Sequence, residues 1–189
     1  LIRSIFTSSC GDELLEIQAK GNLYPETFYS NAEELDMAVV GLYERMRRDH
    51  VYGWSLAPTM GAPDKTSTFE NFEEVDVFNA QGDNAESGNY WVQTYAAITA
   101  ANSIIENYEE AEATQQQKEE AAGQAHFMRA YCYFNLVRMW NEIPLHTNTE
   151  EVSTEMEPSG PEEVYSLIVE DLKKAEEFLP VHWEEDRRE

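Results

Sequence analysis

Apolar positions along this chain fall into four stretches with the three-and-four spacing of an amphipathic helix. In the first, about Ala32 to Arg48, Leu35, Ala38, Val39, Leu42, Tyr43 and Met46 line one face. Asn31 followed by Glu34 reads as a capping-box start. Acidic residues lead the run and arginines close it, as the helix dipole favours. In the second, about Asn89 to Tyr108, the stripe is Trp91, Tyr95, Ile98, Asn102 and Ile105. Asn102 is polar on an apolar stripe, so once buried it must find hydrogen-bond partners. A satisfied structural amide is its expected role.

The third stretch, about Gln115 to Trp140, starts behind Thr114 and Gln117 as a capping box. Its apolar residues ring the helix: Ala125, Met128, Cys132, Leu136 and Met139 on one side, Phe127, Tyr131, Phe134 and Val137 on another. Packing on more than one side is predicted. Asn141 is the expected stop, and Pro144 forbids continuation soon after. The fourth runs from about Pro161 to Leu179, with Ser159 and Glu162 as a capping box and Pro161 in the first turn. Val164, Leu167, Ile168, Leu172, Ala175, Phe178 and Leu179 form its stripe, and Pro180 ends it.

Each stripe needs a partner, so the predicted fold is mostly all-α, built of tetratricopeptide-like antiparallel helix pairs. Ala130 and Phe134 reproduce the A-x3-F element of that repeat. One long irregular loop separates the first two helices. From Val51 to Gly88 it carries Gly53, Pro58, Gly61, Pro63 and Gly82 with no helical period, and short strands are expected, for example around Val75 to Phe78. Long irregular stretches in compact domains often carry function.

Charge narrows the partners. With 37 Asp plus Glu against 13 Lys plus Arg, the formal net charge is -24. A polyanionic nucleic acid wants a basic stripe, and Arg45, Arg47 and Arg48 make only a short one. An anionic membrane surface is disfavoured for the same reason. No stretch reaches the roughly 18 to 20 apolar residues that span a bilayer. The two cysteines, Cys10 and Cys132, form no metal or redox pair, and Cys132 reads as a small core residue. Nucleophile-elbow, phosphate-loop, dinucleotide and zinc-protease motifs are absent, which points away from an enzyme. His50, His126, His146 and His182 lack ligand spacing, and His126 is expected as a satisfied interior or boundary histidine. Asp76, Asn79, Asp83, Asn84 and Glu86 offer hard oxygens, which makes calcium a runner-up ligand for the loop, but their spacing fits no EF-hand; no metal site and no cofactor are assigned.

Several phrases then occur in a fixed order. Ser9-Cys10 precedes Gly11, Asp12 and Glu13; Gly41-Leu42-Tyr43 lies in the first helix; Trp91, Tyr95, Ile98, Ala101 and Asn102 mark the second. Gly123 to Leu145 reads GQAHFMRAYCYFNLVRMWNEIPL, and Val164 to Pro180 reads VYSLIVEDLKKAEEFLP. Together these resemble the N-terminal half of the SusD/RagB family of outer-membrane nutrient-binding lipoproteins, with Asn141 where the family commonly has Gly. The resemblance implies a binding protein, not an enzyme, that holds oligosaccharide at the cell surface for a SusC-like TonB-dependent transporter. It also implies lipidation at Cys10, with residues 1–9 a signal-peptide remnant, 10–30 an extended linker and 31–189 an incomplete helical domain. The expected place is the outer membrane, reached through the lipid alone.

Sugar rings stack their C–H faces on Trp and Tyr, and their hydroxyls pair with carboxylates, amides and cations. The loop and its exits supply Trp54, Asp64, Lys65, Asn89, Tyr90 and Trp91 as candidate ligand-binding residues. Trp91 also opens the second stripe, so core is its competing role. The competing function is a peptide-binding or protein-interaction tetratricopeptide-like module without sugar binding.

Overall fold

A computed structural model of the chain describes residues 28–47, 51, 73–74, 77, 79, 82, 84–149 and 156–183. Four α-helices carry the fold: α1 (Ala32–Arg47), α2 (Ala85–Asn107), α3 (Gln115–Trp140) and α4 (Pro161–Phe178), with a 3-10 turn at Tyr108–Glu110. Among the described residues there is no strand, only isolated bridges joining Asn31 to Glu112 and Ile143 to Ser159. The all-α expectation holds.

Pairs of touching residues give the helix directions. Trp91 meets Trp140 and Asn102 meets Arg129, so α2 and α3 run antiparallel. Gly123 lies against Leu179, Arg129 against Asp171 and Phe134 against Tyr165, so α3 and α4 are antiparallel too. Tyr43 bonds Gln124 and Met46 touches Cys132, which sets α1 parallel to α3. Two antiparallel hairpins therefore stack side by side, with α3 touching all the others.

The caps explain the boundaries. Thr114 and Gln117 form the expected reciprocal box: Gln117 N–H donates to Thr114 Oγ1 at 3.3 Å and Thr114 N–H to Gln117 Oε1 at 3.1 Å. At α1, Asn31 Oδ1 accepts from Glu34 N–H, but the Glu34 carboxylate reaches Ser30 N–H at 2.9 Å instead of closing on Asn31. The box expected at Ser159 does not form. Ser159 is committed to main-chain bonds with Ile143 at 2.9 and 3.1 Å, so the cap moves to Gly160, ahead of Pro161. Helix α2 starts four residues earlier than its stripe suggests, because Asn84 accepts from Ser87 N–H at 3.0 Å and caps it. Of the segment Val75 to Phe78, where a short strand is expected, only Val77 is described, its N–H donating to Glu73 O at 3.0 Å; the rest lies outside the described residues.

Packing follows the stripes with exceptions on α1, α3 and α4. Leu35, Val39, Leu42, Tyr90, Ile98, Ile104, Tyr133, Leu136 and Val164 make one continuous core, and Tyr29, just ahead of α1, joins it with its hydroxyl donating to Ser103 Oγ at 2.7 Å. Cys132 is buried as expected, and burial pushes its thiol up to about 12. The apolar ring around α3 is only partly covered, however. Phe127 is 50% exposed and Phe134 40%, and Tyr43 on α1 is also 50% exposed. Tyr43 and Phe127 flank a groove of about 420 Å³ between α1 and α3. On α4, Tyr165, Val169 and Leu172 lie outward, although Leu172 was expected on the buried stripe.

Two backbone positions are tightly constrained. A Cβ at Gly123 would lie 2.9 Å from Leu179 Cγ and 3.0 Å from Phe178 Cβ, so this glycine sets how closely α4 approaches α3. Asn141 has φ 64° and ψ -58°, and Glu142 N–H donates to Trp140 O at 2.7 Å across it. That is the rare, strained γ-turn conformation. Gly123→Ala should therefore destabilise the fold by about 1 kcal/mol, overpacking outweighing better helix propensity. Asn141→Gly should stabilise it by about 0.5–1 kcal/mol by relieving the positive φ. Urea denaturation measures both, and a stabilising Gly123→Ala or a destabilising Asn141→Gly would contradict this packing.

Candidate functional site

Arg129, Asp171, Asn102 and His126 form one polar network. Arg129 on α3 is 6% exposed, and its Nε and Nη2 donate to the two carboxylate oxygens of Asp171 on α4 at 2.8 and 2.7 Å. Its Nη1 donates to Asn102 Oδ1 on α2 at 2.8 Å. Asn102, fully buried, passes both amide hydrogens to the carbonyls of His146 and Asn148 at 2.9 Å. Its expected structural role is confirmed. His126 also lies in the network, with Nδ1 2.7 Å from Asp171 Oδ1; the carboxylate accepts, so Nδ1 carries the hydrogen. That is the satisfied boundary histidine expected.

The strap 143–149 crosses these helices and is held by its main chain. Tyr133 OH donates to His146 O and accepts from His146 N–H, each at 2.7 Å. Tyr95 OH donates to Pro144 O at 2.8 Å, and burial raises its pKa, keeping the donor neutral. Thr149 N–H donates to Glu106 Oε1 at 3.0 Å.

Where the strap leaves α3, an aromatic corner forms. Trp91 lies 5.0 Å from Trp140 between ring centroids at an interplanar angle of 80°, and 4.9 Å from Tyr95. All three are half-buried, packed on the core with part of their faces at the surface. Gly88, one helical turn before Trp91, has open space where a Cβ would stand. Edge-to-face aromatics with exposed flanks can take the C–H face of a sugar ring.

The candidate residues are distributed unevenly around this corner. Trp91 is part of it. Tyr90 is 1% exposed, its ring 6.0 Å from Trp140 on the core side, so it supports the corner and offers a ligand no surface. Asn89 is exposed on α2, two residues before Trp91 and hence on a different face of the helix. Trp54, Asp64, Lys65 and Cys10 lie outside the described residues. Asn84, one of the hard-oxygen candidates, is spent capping α2 and donating to Glu74 at 2.9 Å. Sequence reasoning missed Trp140 as a site residue. Its signal was position: the last residue of a helix, facing the first turns of an antiparallel neighbour.

The fold is a scaffold of helical hairpins with an aromatic corner at one end. Residues 13–188 match the family model SusD-like_3, described as starch-binding and associating with the outer membrane, and the chain belongs to that family. It is 32% identical over 180 residues to SusD-like protein P2 of Formosa agariphila, covering 90% of this chain and 35% of that protein. A SusD homolog from Bacteroides thetaiotaomicron superposes with a TM-score of 0.71 at 25% identity, covering 90% of this chain and 33% of that one. A laminarin-binding SusD-like protein shares the fold at TM-score 0.74 and 24% identity, over 85% of this chain and 37% of its own. The chain thus spans about a third of the length of the relatives it matches.

Acid should expose the role of Asp171. Burial pushes its pKa up, but the hydrogen bonds and charges of Arg129 and His126 outweigh that and hold it below 3.8. The ionised carboxylate therefore stabilises the fold above that value, and the contribution is lost as pH falls through the lower folded pKa. Asp171→Asn should cost about 3 kcal/mol at pH 7, leaving Arg129 buried without its charge partner. It should also flatten the acid side of the stability curve, and an unchanged acid slope in urea melts would count against the network.

Proposed function

We propose that this chain belongs to a surface binding protein that captures oligosaccharide and delivers it, uncleaved, to a SusC-like TonB-dependent transporter. Membership in a family described as starch-binding and outer-membrane-associated carries the reading. The half-exposed Trp91–Trp140 corner supplies the matching chemistry, flat apolar faces on a rigid support. Glycan is favoured over peptide because the corner presents ring faces and not an open strand edge. Attachment to the membrane is through a lipid on Cys10, which follows the small residues Ser8 and Ser9.

In affinity electrophoresis against starch and laminarin, the protein should be retarded by at least one polysaccharide. Trp91→Ala should weaken that retention about 10-fold, as loss of an aromatic anchor does, while Trp91→Phe keeps most of it. No retardation on either gel, or full retention by Trp91→Ala, speaks against the corner as the glycan contact. Cys10→Ser should abolish incorporation of labelled palmitate and release the protein from membranes; continued labelling would place the anchor elsewhere.

A further inference from the structure

Helices α1 and α3 run parallel, and two recesses lie in line along the seam between them. The first, of about 230 Å³, is at the start of α1, lined by Glu33, Asp36 and Val39 with Gln117 and Gln124 across from them. The second is the groove of about 420 Å³ further along, lined by Tyr43, Met46, Phe127 and Met128. Where they meet, the Tyr43 hydroxyl donates to Gln124 Oε1 at 3.0 Å and ties the walls together. From Glu33 to Arg47 the seam runs for about 20 Å, roughly four turns of helix.

The two recesses differ in chemistry. Met46 and Met128 make a buried floor of flexible thioethers, and the half-exposed rings of Tyr43 and Phe127 stand as walls. The charged lining residues, Glu44 and Arg47, pair with each other at 3.1 Å, and the Tyr43 hydroxyl is committed to Gln124. Such a groove suits large apolar side chains better than the hydroxyls of a sugar. The first recess is acidic. Glu33 and Asp36 are exposed, and neither is in an ion pair among the described residues. The net charge of -24 adds to their field. A partner that complements both recesses carries apolar anchors at one end and cations at the other. A straight seam of this length fits an amphipathic helix, whose anchors recur at three-and-four spacing.

We propose that this seam docks a cationic amphipathic helix of a partner protein. Its apolar anchors enter the groove over Met46 and Met128, and its lysines or arginines lie over Glu33 and Asp36. The site shares no residue with the aromatic corner and does not rest on the glycan reading. Phe127 and Trp140 point from different sides of α3, so partner docking and sugar capture use separate faces.

The test is fluorescence anisotropy with the 189-residue chain and the labelled peptide KKAAKALAALLAAL, in which lysines lead and leucines recur at helical spacing. Two control peptides carry glutamine for every leucine or glutamate for every lysine. Saturable binding of the first peptide is expected, about 10-fold tighter than either control. Phe127→Ser should weaken it about 10-fold, and Tyr43→Ser, on the opposite wall, serves should Phe127→Ser lower the urea midpoint. Glu33→Lys with Asp36→Lys should weaken it about 5-fold, whereas Glu162→Lys with Glu163→Lys, the same charge change at the start of α4, should leave it within about 2-fold. No saturation by about 1 mM peptide overturns the proposal. Full-strength binding of the glutamine control, or equal losses from the two charge pairs, also overturns it, since either means attraction to net charge alone. Phe127→Ser should leave retardation on the polysaccharide gels unchanged; lost retardation would make the groove a glycan contact and overturn partner docking.

Discussion

A single guanidinium ties the molecule together. Arg129 meets Asp171 on α4 with two parallel hydrogen bonds and Asn102 on α2 with a third, from a position where it is 6% exposed. Burying a charge is costly unless it is paired and its donors are used. Here the fork geometry of Arg meets a carboxylate in the way it suits best. Apolar stripes alone would let neighbouring helices slide by a turn at modest cost. The network forbids it, because a slip would leave a buried charge unpartnered. It supplies register, while the core around Leu42, Ile98 and Leu136 supplies most of the driving force.

The consequence reaches the candidate site through Asn102. Its amide holds the strap at His146 and Asn148, and Tyr133 holds the same segment from α3. The strap in turn receives the Tyr95 hydroxyl at Pro144, and the Tyr95 ring lies 4.9 Å from Trp91. The strained turn at Asn141 brings the strap off α3 directly beside Trp140. A rigid base of this kind suits a binding surface, because faces fixed before the ligand arrives lose little entropy when it binds. The exposed ring faces are thus a consequence of where the polar network anchors irregular backbone.

Much of this was legible in the residues. The third helix is bounded as its pattern indicates, since a capping box opens it and a residue tolerant of positive φ closes it. Asn102 stood out as a polar group on an apolar stripe. Asp171 sits on the stripe of Val164, Ile168 and Ala175, and Arg129 falls between Ala125 and Cys132, so both obeyed the rule that singled out Asn102. They were passed over because Asp and Arg on a charged helix surface look ordinary, and nothing local pairs residues 42 apart. The start of α2 was hidden for another reason: Asn84 sits among Gly, Asp and Asn, where loop and cap have the same composition. At α4, Ser159 had a cap signature but was claimed by a main-chain bridge, a tertiary demand that local pattern does not carry. Tyr90, next to a surface tryptophan, points inward because successive helix positions turn about 100°.

The central claim is that Arg129 joins two helices that would otherwise respond independently. Asn102 and Asp171 each bond Arg129. A double-mutant cycle with Asn102→Ala and Asp171→Asn, measured by urea unfolding at pH 7, tests the claim most directly. The account predicts a coupling on the order of 1 kcal/mol, since the first loss frees the guanidinium that the second would have stranded. Additivity within about 0.3 kcal/mol would contradict it, leaving apolar packing to set the register of the helices unaided.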